Sequence, residues 1–253
     1  RDYQEHSITE LYRWLEKNSG HPCVVLPTGA GKSVIIAELV RQVLQGWPET
    51  KVLMLCHQKE LLEQNAKKMR AIWPNAPMGI YSASVGKKQL GEPILFAGIQ
   101  SIRNKARFVG HIDVCIVDEC HCISHKEEGG YRKFISDLLA INPNMRVIGY
   151  SATPYRLGQG KLTDGDAAIF ADLVEPVTVK ELVERGFLAP LKSKHTSAMI
   201  DTSQVKKRGG EYIADQLQGA ADAITAEAIS EIIDRAEDRR HWLLFCSGVA
   251  HAQ

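Results

Sequence analysis

No apolar run in these 253 residues approaches the roughly 20 needed to span a bilayer. The N-terminus also lacks the charged-then-apolar pattern of a secretory leader. Neither a membrane-spanning nor an exported protein is expected from this. Cysteine is sparse: six are scattered along the chain, and no Cys-x₂-Cys pair occurs. Cys120 and Cys122 flank His121, a spacing poorly suited to holding a metal. Cys23, Cys56, Cys115 and Cys246 stand in or beside apolar runs, where cysteine acts as a small hydrophobe. The expectation is a reduced, cytoplasmic protein without disulfides. An excess of one charge is missing as well. Thirty-one Lys and Arg against 30 Asp and Glu leave a net charge of +1. No global field draws in a polyanion, so contact with nucleic acid would have to be local. The chain opens on Arg1 and not Met, so residues are expected upstream.

What is present centres on one stretch, Cys23-Val24-Val25-Leu26-Pro27-Thr28-Gly29-Ala30-Gly31-Lys32-Ser33. Val24, Val25 and Leu26 form an apolar run without alternation, as in a parallel strand covered on both faces. Gly29 and Gly31 permit a sharp turn in which successive N–H groups face one concavity. Capped by the N-terminus of a helix opening at Ser33, that concavity suits phosphate. Lys32 can reach terminal phosphates, and the Ser33 hydroxyl can ligate Mg²⁺. The strict pattern places glycine where Leu26 stands.

The remaining chain alternates strands and helices. A helix is expected over Tyr3 to Leu15, from apolar positions at Ile8, Leu11, Tyr12 and Leu15. Strands are expected at 51–56, 78–81, 94–97, 113–117 and 146–150. Helices are expected at 33–44, after His57 through Met69, and at 131–139. Such alternation implies an α/β fold with a mostly parallel sheet and helices on both faces. Five polar clusters follow strand ends: Pro27 to Ser33, His57 to Lys59, Gln100-Ser101, Asp118 to His121, and Ser151 to Thr153. A parallel sheet brings all of these to one edge, where ligands bind. Beyond Thr153 the rhythm loosens. The reading there is a glycine-rich mobile loop over 155–165, a helix over 178–185, an edge strand over 191–196, a basic loop over 203–210, a helix over 220–235 and a new strand over 241–246.

Asp118 and Glu119 end an otherwise apolar strand, where charge is costly unless it serves something. Facing the phosphate loop, one carboxylate can hold Mg²⁺ and the other can orient and deprotonate a water.

Together these residues resemble helicase superfamily 2 in its DExH branch. Pro27 to Ser33 resembles motif I, Asp118-Glu119-Cys120-His121 motif II, and Ser151-Ala152-Thr153 motif III. His57-Gln58-Lys59-Glu60-Leu61 resembles motif Ia, Gly98-Ile99-Gln100-Ser101 motif Ib, and Leu243 to Ser247 motif IV. Arg1-Asp2-Tyr3-Gln4 resembles the upstream adenine-reading element. The run Ser151 to Gly158 with the Asp-Glu-Cys-His box is most similar to RadD-like bacterial and phage helicases of DNA repair.

The resemblance implies a RecA-like P-loop NTPase domain over 1–196, a linker and helix over 197–240, and at 241–253 the truncated opening of a second RecA-like domain. It implies ATP and Mg²⁺ as cofactors. Gln4 and Arg1 would contact adenine, while Pro27, Thr28, Gly29, Ala30, Gly31, Lys32 and Ser33 would bind phosphates. Ser33 and Asp118 would hold the metal, and Glu119 would be the general base. His121, Ser151 and Thr153 would couple the nucleotide to the nucleic-acid surface. His57, Lys59, Gln100 and Ser101 would lie along a strand backbone, largely blind to its sequence. Plain alternatives stand beside two of these: His57 as a helix-start residue and Gln4 as a surface residue of its helix. Arg156 has no assignable role.

The implied activity is ATP-driven DNA helicase or translocase action in repair or recombination, on single-stranded or branched DNA. RNA is the lesser expectation. A duplex-translocating motor of restriction or remodelling type, an ATP-gated clamp and an RNA helicase are the other readings. Arginine fingers in this family come from the second domain, and such a residue is worth ~10³–10⁵ in rate in related NTPases. The chain alone is therefore expected to hydrolyse ATP slowly.

Overall fold

The structure is a computed structural model describing residues 1–123, 130–156, 160–165, 168–191, 196–208, 211–236, 240–246 and 252. It divides into two compact units, Arg1–Ala189 and Pro190–Gln253.

The first unit opens with α1 (Asp2–Lys17), β1 (Pro22–Val25), α2 (Lys32–Gly46), β2 (Val52–Cys56) and α3 (Lys59–Ile72). There follow β3 (Met78–Ser82), β4 (Lys87–Lys88), β5 (Ile94–Gly98), and the one-turn helices α4 (Ile99–Ile102) and α5 (Ala106–Val109). Then come β6 (Val114–Asp118), a 3₁₀ turn at Cys120–Cys122, α6 (Gly130–Ile141), β7 (Arg146–Ser151), β8 (Tyr155–Arg156), β9 (Gly160–Lys161), β10 (Asp172–Val174) and α7 (Val179–Glu184).

Eight strands form one sheet in the order β10-β1-β7-β6-β2-β5-β3-β4. Every pairing within it is parallel except β3 with β4. Successive residues of each strand serve opposite faces, so the sheet carries two cores. Val24, Met54, Ile116 and Ile148 pack with α1, α2, α3 and α7. Leu53, Leu55, Val117 and Val147 pack with α4, α5 and α6. All five residues of β2 are buried, which is why the central strands read as unbroken apolar runs. Each fully buried Leu, Ile or Phe contributes roughly 1.5–3 kcal/mol, so this two-sided burial dominates the fold.

Several expectations are adjusted. β6 ends on Asp118 itself, so that carboxylate belongs to the strand and is buried. β10, an edge strand beside β1, was not anticipated; three residues between turns leave little periodicity. Tyr155 to Gly165 contains a short antiparallel hairpin, β8 with β9, and 157–159 lie outside the described residues. The first unit runs to Ala189, and Arg185 and Phe187 bring its end back to α1. The polar stretch at 124–129 and most of the strand expected at 191–196 lie outside the described residues.

In the second unit, β11 (Lys207–Arg208) pairs antiparallel with β12 (Glu211–Tyr212), followed by α8 (Ala214–Asp222) and α9 (Thr225–Ala236). The single helix expected over 220–235 is thus two, broken at Ala223-Ile224. The Glu231 carboxylate accepts the Ser197 and Ala198 N–H groups and the Thr196 hydroxyl, which hold it down at about 2. Residues 241–246, expected as a strand, form none, and Trp242, Leu243, Leu244 and Phe245 are exposed. An extended segment becomes a strand only when another strand meets its N–H and C=O groups. None among the described residues does so.

No helix among the described residues is long and apolar enough to cross a membrane.

Candidate functional site

Because β1, β7 and β6 are adjacent and parallel, their C-terminal ends lie side by side. The loop after β1 begins at Leu26, whose N–H donates to the Ser151 carbonyl at 3.0 Å. Leu26 is fully buried, which explains an apolar residue in place of the pattern's first glycine. The Ala30 N–H then donates to the Pro27 carbonyl at 3.0 Å, closing the turn. Gly29 and Gly31 both stand at φ +84°, in left-handed territory that costs a residue with Cβ about 1–2 kcal/mol. A Cβ on Gly31 would lie 2.7 Å from Gln4 Nε2, and one on Gly29 would lie 2.9 Å from Leu188 Cδ2. The loop runs into the N-terminus of α2, fifteen residues long, with Lys32 its first residue.

Lys32 Nζ forms an ion pair with Glu119 Oε1 from the end of β6. Glu119 is the one residue with Cβ held at positive φ (50°) among those described. Strain of this kind concentrates where a side chain must be aimed. Its other oxygen, Oε2, lies 3.3 Å from His121 Nδ1. That nitrogen is 2.9 Å from Ser151 Oγ, which accepts the Thr153 N–H at 3.0 Å. One unbroken chain of polar contacts thus joins the ends of β1, β6 and β7.

Asp118 is 3% exposed. Its Oδ2 accepts Asn65 Nδ2 at 2.7 Å, and its Oδ1 accepts the Glu119 N–H at 3.0 Å. Burial nonetheless raises its pKa above the ordinary carboxylate value, against the opposing pull of Asn65 and Lys32. A buried carboxylate in that condition is suited to a cation. The Thr28 and Ser33 hydroxyls make no hydrogen bond among the described residues, which leaves them open to a ligand. The donor set fits a Mg²⁺-bound phosphate: one carboxylate, a free hydroxyl and a lysine. Below the carboxylates, Cys23 and Cys120 bring their sulfurs to 3.5 Å, and burial pushes the Cys120 thiol well up, so it is an inert filler.

Gln4 donates from Nε2 to the Ala30 carbonyl at 3.2 Å, and Tyr3 donates its hydroxyl to the same oxygen at 2.9 Å. Gln4 therefore faces the loop and not open solvent. Arg1 donates to the Tyr3 hydroxyl and lies 5.0 Å above the Phe187 ring, while Arg185 lies 5.1 Å from the same ring. Tyr3, Asn65, Phe187 and Leu188 are neighbours that reading the sequence missed. Tyr3 and Asn65 look like ordinary helical residues. Phe187 and Leu188 arrive from far along the chain, with no local signal.

The expected nucleic-acid residues divide. His57 and Gln100 line one cleft with Arg103, Cys122, Gly130 and Tyr131. Lys59 stands at the start of α3, 4.0 Å from Glu63. Ser101 Oγ accepts the Ala83 N–H at 2.9 Å, tying α4 to β3. Arg156 lies in β8.

The family model of the type III restriction enzyme res subunit matches residues 1–156, well over half of the chain. The chain belongs to this family. The res-subunit match covers the loop, the carboxylate pair and the Ser151-Thr153 strand end together. Among individual relatives, IRC3 of Saccharomyces cerevisiae, named as an ATP-dependent helicase, is 24% identical over 269 residues. That alignment takes in 100% of this chain and 38% of IRC3, so the chain spans little more than a third of that relative. The crystal structure of the UvsW helicase from bacteriophage T4 superposes with a TM-score of 0.55 at 22% identity, covering 69% of this chain and 59% of UvsW. The type ISP restriction-modification enzyme LlaGI, solved with a DNA substrate mimic, gives 0.53 at 15% identity, covering 92% of this chain and 23% of that one. At these identities the likeness establishes the RecA-like fold of the res-subunit chain.

Proposed function

We propose that this chain is the first motor domain of an ATP-driven DNA helicase or translocase of superfamily 2, in the DExH branch and nearest to RadD-like repair enzymes. The observation that carries the reading is the meeting of Lys32 with Glu119 beside the buried Asp118, on the edge where the phosphate loop opens. Membership of the res-subunit family supports it, as do relatives named as a helicase and as a restriction-modification enzyme in complex with a DNA substrate mimic.

In this reading the loop amides from Thr28 to Ser33 bind the β- and γ-phosphates, and Lys32 leaves Glu119 to meet them. Ser33 and Asp118 hold Mg²⁺, which supplies charge neutralisation at the phosphates. Glu119, released from the lysine, accepts a proton from water while His121 and its own strained backbone keep its carboxylate aimed. Gln4, now on the Ala30 carbonyl, turns its amide to the adenine edge, and Arg1 lies beside it. Ser151 and Thr153 pass the rearrangement to the face bearing His57 and Gln100. The substrate is DNA, single-stranded or branched, in the cytoplasm. Residues 241–253 begin a second RecA-like domain, and 1–196 constitute the first, with the joining segment over 197–240.

The test is ATP hydrolysis by this chain within its full-length protein, with single-stranded DNA, duplex DNA and RNA as separate stimulants. DNA-stimulated hydrolysis lost in Lys32→Ala is expected. Stimulated hydrolysis that survives Lys32→Ala would refute the assignment. Strand-displacement beside triplex-displacement assays separate unwinding from duplex translocation.

A further inference from the structure

Three buried side-chain polar atoms among the described residues have no hydrogen-bond partner: Asn65 Oδ1 and the hydroxyls of Tyr131 and Tyr150. All three gather around one residue. Asn65 donates to Asp118, Tyr150 stands opposite Asp118 in the register of β6 with β7, and the Asp118 charge acts on both tyrosines. Neither tyrosine bonds the carboxylate. Asn65 is the one side chain among the described residues that donates a hydrogen bond to it.

Asn65 lies on α3, about one turn beyond His57 to Leu61. The buried residues of that helix are Leu62, Asn65, Ala66 and Met69, so Asn65 is the single polar group on an apolar face. It is 4% exposed. Its Nδ2 lies 2.7 Å from Asp118 Oδ2 and 3.7 Å from Cys56 Sγ, which occupies both amide hydrogens. That settles which way round the amide stands, because the reversed amide would set Oδ1 against a carboxylate. Oδ1 is left unmet as a result, a cost that an alanine or a leucine on this face would not carry. The amide also has the right chemistry. A lysine or arginine here would neutralise Asp118 and repel a metal ion. A neutral donor steers the carboxylate and leaves its charge in place. Asn65 holds Oδ2 and the Glu119 N–H holds Oδ1 at 3.0 Å, so the plane of the group is fixed while each oxygen keeps a lone pair.

We infer that Asn65 is a positioning residue of the metal site, its amide holding the plane of the Asp118 carboxylate for the cation that Asp118 and Ser33 would share. It belongs to none of the motifs read from the sequence. The inference rests on the proposed ATP and Mg²⁺ reading, and it adds α3 to the elements that build that site. Asn65 acts through Asp118 alone.

The test is Mn²⁺ binding to the ADP complex of the full-length protein, read from the electron paramagnetic resonance signal of free Mn²⁺, with ADP affinity in EDTA measured beside it. The variants are Asn65→Ala, Asn65→Leu, which keeps the volume should the smaller side chain not fold, and the control Asn142→Ala. Asn142 is also buried, but it donates to the Ile112 carbonyl, ahead of β6 and at the opposite end from Asp118. Groups that orient a metal ligand are worth about 10–100-fold in metal affinity. Both Asn65 variants are expected to weaken Mn²⁺ binding about tenfold and to leave ADP affinity in EDTA unchanged. Asn142→Ala lowers Tm and changes neither affinity. In an Asp118→Asn background, Asn65→Ala should cost Mn²⁺ affinity nothing further, because the two act as one. Wild-type Mn²⁺ affinity in either Asn65 variant overturns the positioning role, and so does an equal loss in Asn142→Ala. Mn²⁺ affinity unchanged by Asp118→Asn itself removes the parent reading of the metal site.

Discussion

Replacing Asp118 with Asn should stabilise the protein while abolishing its metal-dependent function. Asp118 is 3% exposed, and its pKa is raised chiefly by burial. For a carboxyl group raised in this way, the folded state holds a proton that the unfolded chain has already lost. Stability therefore falls as pH rises from near 3.8 to the folded value, and the full cost persists above it. Each unit of elevation costs about 1.4 kcal/mol at neutral pH. Asn removes that cost along with the attraction to Lys32. It can also keep both hydrogen bonds. The oxygen of the introduced amide accepts the Glu119 N–H, and Asn65 turns over so that its Oδ1, buried and unpartnered in the structure, accepts from the introduced NH₂ group. Two charge-assisted bonds become neutral ones, at a loss of about 1 kcal/mol. The expected outcome is a higher Tm than wild type, because burial is the largest influence on Asp118. Differential scanning calorimetry in EDTA measures it, followed by a second scan with Mg²⁺ and a non-hydrolysable ATP analogue. Ligand at a hundred times its Kd should add about 2.7 kcal/mol to the wild type and far less to Asp118→Asn. A variant that melts several degrees below wild type in EDTA would refute the reasoning, making Asp118 a structural acceptor for Asn65 and not a poised metal ligand.

Three further outcomes follow. Gly31→Ala should cost about 1–2 kcal/mol from its φ of +84° and displace Gln4 from the Ala30 carbonyl, visible as a lower denaturant midpoint and weaker nucleotide binding. Asn65→Ala removes a bond that lowers the Asp118 pKa, so the acid limb of the pH profile for ATP hydrolysis should move to higher pH; a shift toward lower pH would contradict this. Tyr3→Phe deletes one buried hydrogen bond to the Ala30 carbonyl and should cost about 1 kcal/mol by urea unfolding while Gln4 keeps its contact.

The legible part of the fold was the two-sided apolar strands and the polar cluster after each of them. Val24 to Leu26, Val52 to Cys56 and Val114 to Val117 could be read because burial on both faces leaves no alternation to confuse. Helical periodicity gave α1, α2, α3 and α6, because each buries a face whose residues recur at three- and four-residue spacing. β10 and the β8–β9 hairpin were not readable, being two or three residues long and held by partners distant in sequence. Cys246 and its neighbours looked like a strand, but apolar composition alone supplies no ladder partner. Within the site, Lys32, Asp118 and Glu119 announce themselves by charge beside apolar runs. The left-handed backbone of Glu119 does not, since its residue type gives no hint of φ 50°. Asn65 and Tyr131 were hidden because a buried polar residue on an amphipathic helix looks like any other until its partners, or their absence, are seen.

The central claim is that a triphosphate and its metal lie between the loop at Lys32 and the carboxylates of Asp118 and Glu119. Crystals grown with Mg²⁺ and a non-hydrolysable ATP analogue test it most directly. The account predicts phosphate oxygens on the amides of Thr28 to Ser33, Lys32 moved from Glu119 onto them, and Mg²⁺ between Ser33 and Asp118. A nucleotide bound elsewhere, with the Lys32–Glu119 pair still closed, would contradict it.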